Sequence, residues 1–344
     1  MHILVTGGAG FIGSHTCVVL LDAGHKVTII DSFVNSSKKT IDGIKIIFKE
    51  KRIDFKDKLK IYQGDLRNKK TIEEVFNSSV KENDPINAVI HFASLKSVIE
   101  SFEKPILYWT NNVIGSLNLV DVMSRFNCKN LVFSSSANIY DFSDDKPINE
   151  NHKIKPTSPY GNNKATIEKL FNDIFNGDPE SWRISNLRYF NPIGAHHSGE
   201  IGESPISIAT NIFPLITKVA LGKKKEFIIF GGDWPTKDGT GVRDYIHVMD
   251  IAEGHLKALN YLIDNNPLFI NLNLGTGKGT SVLELITTFE KVNNVKIPLR
   301  FATRRKGDKA FVVADNKLAN KLMKWNPKKS LEEMCIDGWK WVIK

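Results

Sequence analysis

A chain of 344 residues has room for about two domains and a sizeable core. Its 41% hydrophobic and 25% charged content describes a globular protein; no apolar run is long enough for a membrane span and the N-terminus lacks a signal-peptide pattern, so a cytoplasmic location is expected. Cys17, Cys128 and Cys335 are too few and scattered for a disulfide framework or a zinc site, and the net charge of +9 comes from lysines interleaved with acids, as in residues 48–60, which reads as solvated surface rather than a nucleic-acid stripe.

Taken in order, residues 2–6 (HILVT) form a short buried-type strand, a turn follows with Gly7, Gly10 and Gly13, and FIGSHTCVVLLDAG shows helical spacing up to Gly24. Further strands are expected in KVTII (26–30), KLKIYQ (58–63), AVIHFA (88–93), NLVFSS (130–135) and RISNLRYF (183–190), with helical segments between several of them. Strands that alternate with helices predict a parallel sheet covered on both faces, hence a doubly wound α/β domain over residues 1–190. After residue 190, proline and glycine become frequent, and irregular stretches such as GGDWPTKDGTGVRD (231–244) separate short helices. A smaller domain is expected over 191–344, with segments around 236–265 packing back on the first.

Strand, glycine turn and helix in succession outline a phosphate site, because a helix start offers free N–H groups and a positive dipole end to a pyrophosphate. Gly7 would allow the tight turn, Gly10 the close approach of phosphate, and Gly13 the contact of helix with strand. A glycine turn alone equally suits a turn without ligand. Asp31, eighteen residues past Gly13 at the end of the second strand, adds a carboxylate placed for ribose hydroxyls. No Arg or Lys occupies 32–37 to hold a 2′-phosphate, so NAD is expected over NADP.

The richest stretch for chemistry is FSSSANIY (133–140) followed by TSPYGNNKATIEKLF (157–171). Ser158 can cap a helix with Pro159 in its first position, and Ile167, Leu170, Phe171, Ile174 and Phe175 mark a buried face. Tyr160 and Lys164 then stand one turn apart on the same face. A phenol titrates at about 10, and a neighbouring ammonium lowers it, so such a tyrosine can take a proton from an alcohol as hydride leaves carbon for a nicotinamide. Ser136, at the end of a sheet strand, is placed to bond the same hydroxyl.

At this point the sequence resembles the extended short-chain dehydrogenases/reductases and, more narrowly, the UDP-glucose 4-epimerases, over essentially its whole length. The resemblance rests on TGGAGFIGSHT, VIHFASLKSV, NNVIGSLNL, FSSSANIY, SPYGNNK, LRYFNPIGAHHSGEIGE, DGTGVRDYIHVMDIAEGH and RRKGD. It implies a Rossmann sheet with a smaller C-terminal substrate domain, an isomerase of galactose metabolism, and Tyr160 as base, Lys164 supporting it and Ser136 assisting. Implied cofactor contacts are Gly7, Gly10, Phe11, Ile12, Gly13, Asp31, Asn35, Ser36, Asp65, Leu66, Phe92, Ala93, Lys96 and Asn111, with Tyr160, Lys164 and Phe190. On the substrate side, beside Lys96, Ser136 and Tyr160, the resemblance implies Phe190, Asn191, Asn211, Ile212, Ile228, Ile229 and Phe230, with Arg243 and Arg305 on the diphosphate and Asp308 near the uridine ribose. The implied reaction keeps NAD bound while the C4 hydroxyl of a UDP-hexose is oxidised to a ketone and reduced on its other face. A homodimer is implied as well, packed through helices around 106–127 and 159–175.

Three positions depart from the family pattern. Asp141 and Ser94 stand where glycine is usual, and Val312, four beyond Asp308, is a small wall that could admit an N-acetyl group. The nearest rival, a nucleotide-sugar 4,6-dehydratase, would want an Asp-Glu pair after Ser136, where this chain has Ala137 and Asn138. A non-catalytic NAD-binding regulator would have lost Tyr160 or Lys164. Metal chemistry from His196 and His197 lacks a carboxylate or cysteine at ligand spacing, so no metal is expected, and both histidines should border the substrate loop.

Overall fold

In the computed structural model, which describes residues 1–52, 54–142, 146–204, 211–305 and 307–344, the strands β1 (His2–Thr6), β2 (Lys26–Asp31), β3 (Leu59–Gln63), β4 (Ala88–His91), β5 (Asn130–Ser136) and β6 (Arg183–Tyr189) all run parallel. They fall at the stretches expected from the sequence. A seventh parallel strand, Leu268–Leu274, joins beside β6, so the order across the sheet is 268–274, β6, β5, β4, β1, β2, β3. Every residue of β1 is buried, because helices cover both faces. Strand order reverses between β1 and β4, which opens a crevice beyond their C-terminal ends.

One layer packs helix α1 (Phe11–Asp22) and helix Lys38–Glu50 on the sheet through Cys17, Val18, Ile44 and Phe48, together with helix Val248–Asp264 through Ile251, Ala258, Leu259 and Leu262. The opposite layer is built from helices Lys69–Lys81, Gly115–Arg125 and Pro159–Gly177, with Val75, Leu119, Ile167 and Phe171 facing Leu4, Val89 and Phe133. The helix expected around 106–127 is a continuous helical path whose middle, Trp109–Ile114, widens into a π-turn.

Beyond β6, helix Val248–Asp264 is 17 residues long, not one of the short helices expected there. The strand 268–274 escaped the sequence reading because LFINLNL carries asparagines, which are depleted in strands. Partners in the fold explain them: Asn186 Nδ2 donates to Asn271 Oδ1 at 2.8 Å, and Asn273 Nδ2 donates to the Ile148 carbonyl at 2.8 Å. A separate core of Phe213, Ile216, Phe289 and Met334 supports the smaller sheets, in which Phe227–Phe230 pairs with Leu299–Ala302 and Val242–Arg243 pairs with Thr280–Ser281 and Phe311–Val312. Among the described residues no helix is long and apolar enough to cross a membrane.

Burial pushes the imidazoles of His15, His91 and His255 down to about 3. An unfolded chain takes protons on these groups near 6.5 while the folded one does not, so the stability present above 6.5 is lost as pH falls from 6.5 toward 3. Each fully shifted group contributes about 1.4 kcal/mol per pH unit in that window. Urea unfolding one pH unit below 6.5 is therefore expected to show a stability lower by a few kcal/mol than at neutral pH; equal midpoints would contradict neutral burial of these rings.

Candidate active site

The crevice opens into a cleft of about 1100 Å³ between the C-terminal edge of the main sheet and the smaller sheets. Every site position named from the sequence lines it: the glycine turn with Phe11 and Ile12, Asp31, Asn35, Ser36, Asp65, Leu66, Phe92, Ala93, Lys96 and Asn111 at one end, Ser136, Tyr160, Lys164 and Phe190 in the middle, and Asn191, Asn211, Ile212, Ile228, Ile229, Phe230, Arg243, Arg305, Asp308 and Val312 at the other.

The glycine turn has little room for side chains. Gly7 holds φ at +69°, and a Cβ there would lie 2.7 Å from the Ala93 nitrogen; a Cβ at Gly13 would lie 2.4 Å from the Gly7 carbonyl oxygen. Gly10 differs, because its backbone is extended, a Cβ would meet nothing nearer than the Gly7 oxygen at 3.2 Å, and the residue lines the cleft. Gly10 caps α1, yet among the described residues no side chain satisfies the first N–H groups of that helix, and no acidic residue occupies its first turn. Free donors at a helix start suit an anion, which is what a pyrophosphate requires. Asp31, buried at the end of β2, ties the turn to the next loop: it accepts from the Ala9 nitrogen at 2.9 Å, the Phe33 nitrogen at 2.9 Å and the Ser36 hydroxyl at 2.7 Å. A carboxylate has about four lone-pair sites, so capacity for a ribose hydroxyl remains. Nearby, hydrogen bonds from Arg67 hold the Asp65 carboxyl below its usual range.

The middle of the cleft is built on β5 and helix Pro159–Gly177. The Ser158 hydroxyl accepts from the Gly161 nitrogen at 3.1 Å, and Pro159 sits in the first turn, so the helix starts where the sequence indicates. Lys164 is 2% exposed, and its Nζ donates to the Ser134 carbonyl at 2.7 Å, 5.9 Å from the Tyr160 ring centre. Ser136 accepts from the Asn138 backbone and side-chain nitrogens, both at 3.2 Å. Here the structure differs from expectation. Burial pushes the Tyr160 phenol up to about 12, with a hydrogen bond from Ser136 pulling the other way, and burial pushes Lys164 down to about 7. Desolvation dominates at the tyrosine, so it is a phenol until positive charge acts beside it.

At the far end, cations are matched with carboxylates. Glu203 accepts from Lys96 Nζ at 2.9 Å and from Asn211 Nδ2 at 2.7 Å, which ties the loop after β4 to the smaller part. Asp308 pairs with Arg243, and the Arg305 guanidinium stacks on the Phe230 ring at 3.9 Å. Val312 pairs in register with Arg243 and packs in one apolar cluster with Phe190, Tyr140 and Ala137.

The sequence model of a family described as GDP-mannose 4,6 dehydratase matches residues 4–337. UDP-glucose 4-epimerase 2 of Arabidopsis thaliana is 46% identical over 339 residues, covering 98% of this chain and 94% of that protein, and the UDP-glucose 4-epimerase of Bacillus subtilis is 46% identical over 341 residues, covering 99% and 96%. The chain belongs to the UDP-glucose 4-epimerase family. Its fold superposes on that family: the structure from Stenotrophomonas maltophila, solved with bound NAD and formylated UDP-arabinopyranose, matches with a TM-score of 0.93 at 42% identity, covering 100% of this chain and 98% of that one. The Bifidobacterium longum epimerase in complex with NAD+ and UDP matches with a TM-score of 0.89 at 40% identity, covering 99% and 98%.

The departures from this epimerase family are accommodated locally. Neither Ser94 nor Asp141 has a positive φ, so neither backbone position requires glycine. The Ser94 hydroxyl donates to the Leu95 carbonyl at 3.1 Å, and the Asp141 nitrogen donates to the Lys153 carbonyl at 2.8 Å. Residues 143–145 of the acidic loop, residues 205–210 and Lys306 lie outside the described residues. Ala137–Ile139 form a short 3-10 turn in which Asn138 points at Ser136, and neither Ala137 nor Asn138 supplies the acid and base of a dehydratase. His196 and His197 lie outside the cleft lining; His196 is buried against the Ser198 hydroxyl at 2.8 Å, and Lys340 Nζ donates to the His197 carbonyl at 2.7 Å. Sequence reasoning missed Glu203, whose only signal was its place at the end of the quoted GEIGE run, and Tyr189, which lines the cleft and bonds His255.

The two glycines predict separable effects. Gly13→Ala must force α1 from the turn, and is expected to lose both cofactor and several degrees of melting temperature. Gly10→Ala is expected to keep the melting temperature within ~2 °C, while NAD retention falls at least tenfold, about 1.4 kcal/mol. Thermal melts and the NAD released from denatured protein would read both, and equal losses in the two variants would contradict the assignment of Gly10 to ligand approach.

Proposed function

We propose that this protein interconverts UDP-glucose and UDP-galactose, holding NAD throughout the cycle. The observation that carries the reading is the buried Tyr160, Lys164 and Ser136 group at the end of β5, in one cleft with an uncapped glycine turn and two arginines. The glycine turn, Asp31 and Ser36 would hold the dinucleotide, and Arg243 and Arg305 would take the substrate diphosphate, since guanidinium forks match phosphate oxygens. The 1–190 part would thus serve the cofactor and the 191–344 part the nucleotide sugar.

Tyr160 takes the proton of the C4 hydroxyl, with Ser136 holding that oxygen. When bound, NAD supplies the acceptor for the C4 hydride and its return. Lys164 stabilises the phenolate from one turn away, and the cationic surroundings offset the burial that otherwise holds the phenol at about 12. The 4-keto sugar turns while the nucleotide stays anchored, so that the hydride comes back to the other face of C4 and Tyr160 returns the proton to the C4 oxygen. Proton and hydride both go back to the sugar, so net redox is zero and the buried tyrosine needs no exit path for its proton.

The reading includes a cytoplasmic homodimer in galactose metabolism. An apolar stripe supports the dimer: Phe102 is 59%, Ile106 82%, Trp109 40% and Leu117 48% exposed. Val312 supports a wider substrate range, since a small side chain beside Phe190 leaves room for an N-acetyl group.

Incubated with UDP-galactose and no added NAD, the purified protein is expected to form UDP-glucose at unchanged mass; a product lighter by one water would indicate a dehydratase. Tyr160→Phe should lower kcat by roughly 10²- to 10⁴-fold with NAD still bound, measured by chromatography of the sugars. Val312→Tyr should reduce turnover of UDP-N-acetylglucosamine much more than that of UDP-galactose, and an equal loss on both would remove Val312 as a selecting wall.

A further inference from the structure

Beneath the Tyr160 and Lys164 pair lies a second buried charge that the reaction above does not use. Glu168 stands one helical turn beyond Lys164, is 7% exposed and does not line the cleft. Its carboxylate accepts from Arg188 on β6, from Nε at 3.0 Å and Nη2 at 2.6 Å, and from the Ser135 hydroxyl on β5. Arg188 in turn donates to the Tyr140 hydroxyl at 2.7 Å and to the Glu150 carbonyl at 3.2 Å. The carboxylate is therefore fixed from three sides, between β5, β6 and the helix that carries the catalytic pair.

Lys164, by contrast, has among the described residues one hydrogen-bond acceptor, the Ser134 carbonyl, and no carboxylate in direct contact. A buried ammonium without compensation loses its proton. The groups that face it can be named element by element. On its own helix are Tyr160 and Glu168; on β5, the Phe133 ring at 4.7 Å and the Ser134 carbonyl. On β4 stands His91, whose ring burial keeps neutral, and on β6 Tyr189 bonds His255 while Arg188 turns its charge onto Glu168. Glu168 is the one negative charge in this set, and it works against the burial that lowers Lys164.

We propose that Glu168, oriented by Arg188 and Ser135, is a positioning residue that keeps Lys164 cationic, so that a positive charge stands beside Tyr160 when the phenol gives up its proton. This rests on the epimerase reading. Removing the charge of Glu168 frees Lys164 to lose its proton at lower pH, and the unpaired Arg188 pushes the same way. Since the active form needs Lys164 protonated, the alkaline limb of the rate profile moves down.

In the NAD-loaded full chain, Glu168→Gln is expected to shift the alkaline limb of kcat with UDP-galactose down by about one pH unit or more. KM should stay within about twofold, because Glu168 does not touch the cleft. The Tyr160 phenolate absorbance, isolated by difference against Tyr160→Phe, should appear at higher pH in Glu168→Gln. Glu168→Asp should restore part of both shifts. The double variant Glu168→Gln with Arg188→Met removes both charges, leaves no unpaired ion in the core, and should keep the shifted limb. A uniform fall in kcat at all pH values, with limb and phenolate titration unmoved, would leave Glu168 a structural residue only and overturn the proposal. If the wild type fails to turn over UDP-galactose while the phenolate shift is present, the epimerase reading falls and the role of Glu168 stands.

Discussion

An ammonium held out of water at the end of a parallel strand is the constraint around which this site is built. Burying a cation costs several kcal/mol unless the surroundings repay it, and here the Ser134 carbonyl and the nearby Glu168 are what the fold offers Lys164. That arrangement exists only if helix Pro159–Gly177 starts at a fixed point and lies at a fixed height on β5. The Ser158 cap and Pro159 set its start, and Phe171 and Ile167 seat it on Phe133 and Leu131. Tyr160 follows from the same geometry, one turn before the lysine and within reach of Ser136.

The rest of the cleft obeys a related rule, that its charges are seldom left alone. Lys96 meets Glu203, Arg243 meets Asp308, and Asp31 is wrapped by backbone and hydroxyl donors. On the proposed reading, a diphosphate arriving on Arg243 would exchange one anion for another on an already oriented guanidinium. Such an exchange avoids much of the desolvation that a bare, hydrated arginine would demand. Glu203 does the same for Lys96 while joining the two sides of the cleft.

Much of this was legible in the sequence, and the reasons differ by element. Most of the strands before residue 190 could be read because apolar-rich runs bounded by turns, such as HILVT and AVIH, are what a doubly covered parallel sheet requires. Tyr160 and Lys164 could be paired because helical spacing fixes their separation. The strand 268–274 was hidden, since its asparagines are satisfied by partners more than eighty positions away in the chain. The direction of the Tyr160 and Lys164 shifts was hidden for another reason: spacing shows that two groups are neighbours, but burial decides which charge survives, and burial is a property of the assembled core.

The packing of helix Val248–Asp264 against α1 has a consequence for how the protein is made. At typical synthesis rates of about 5–20 residues per second, the chain segment that covers α1 leaves the ribosome tens of seconds after the glycine turn does. For that interval Val18 and Leu21 lack part of the cover they have in the finished core. The glycine-turn end of the molecule is thus written first and closed late.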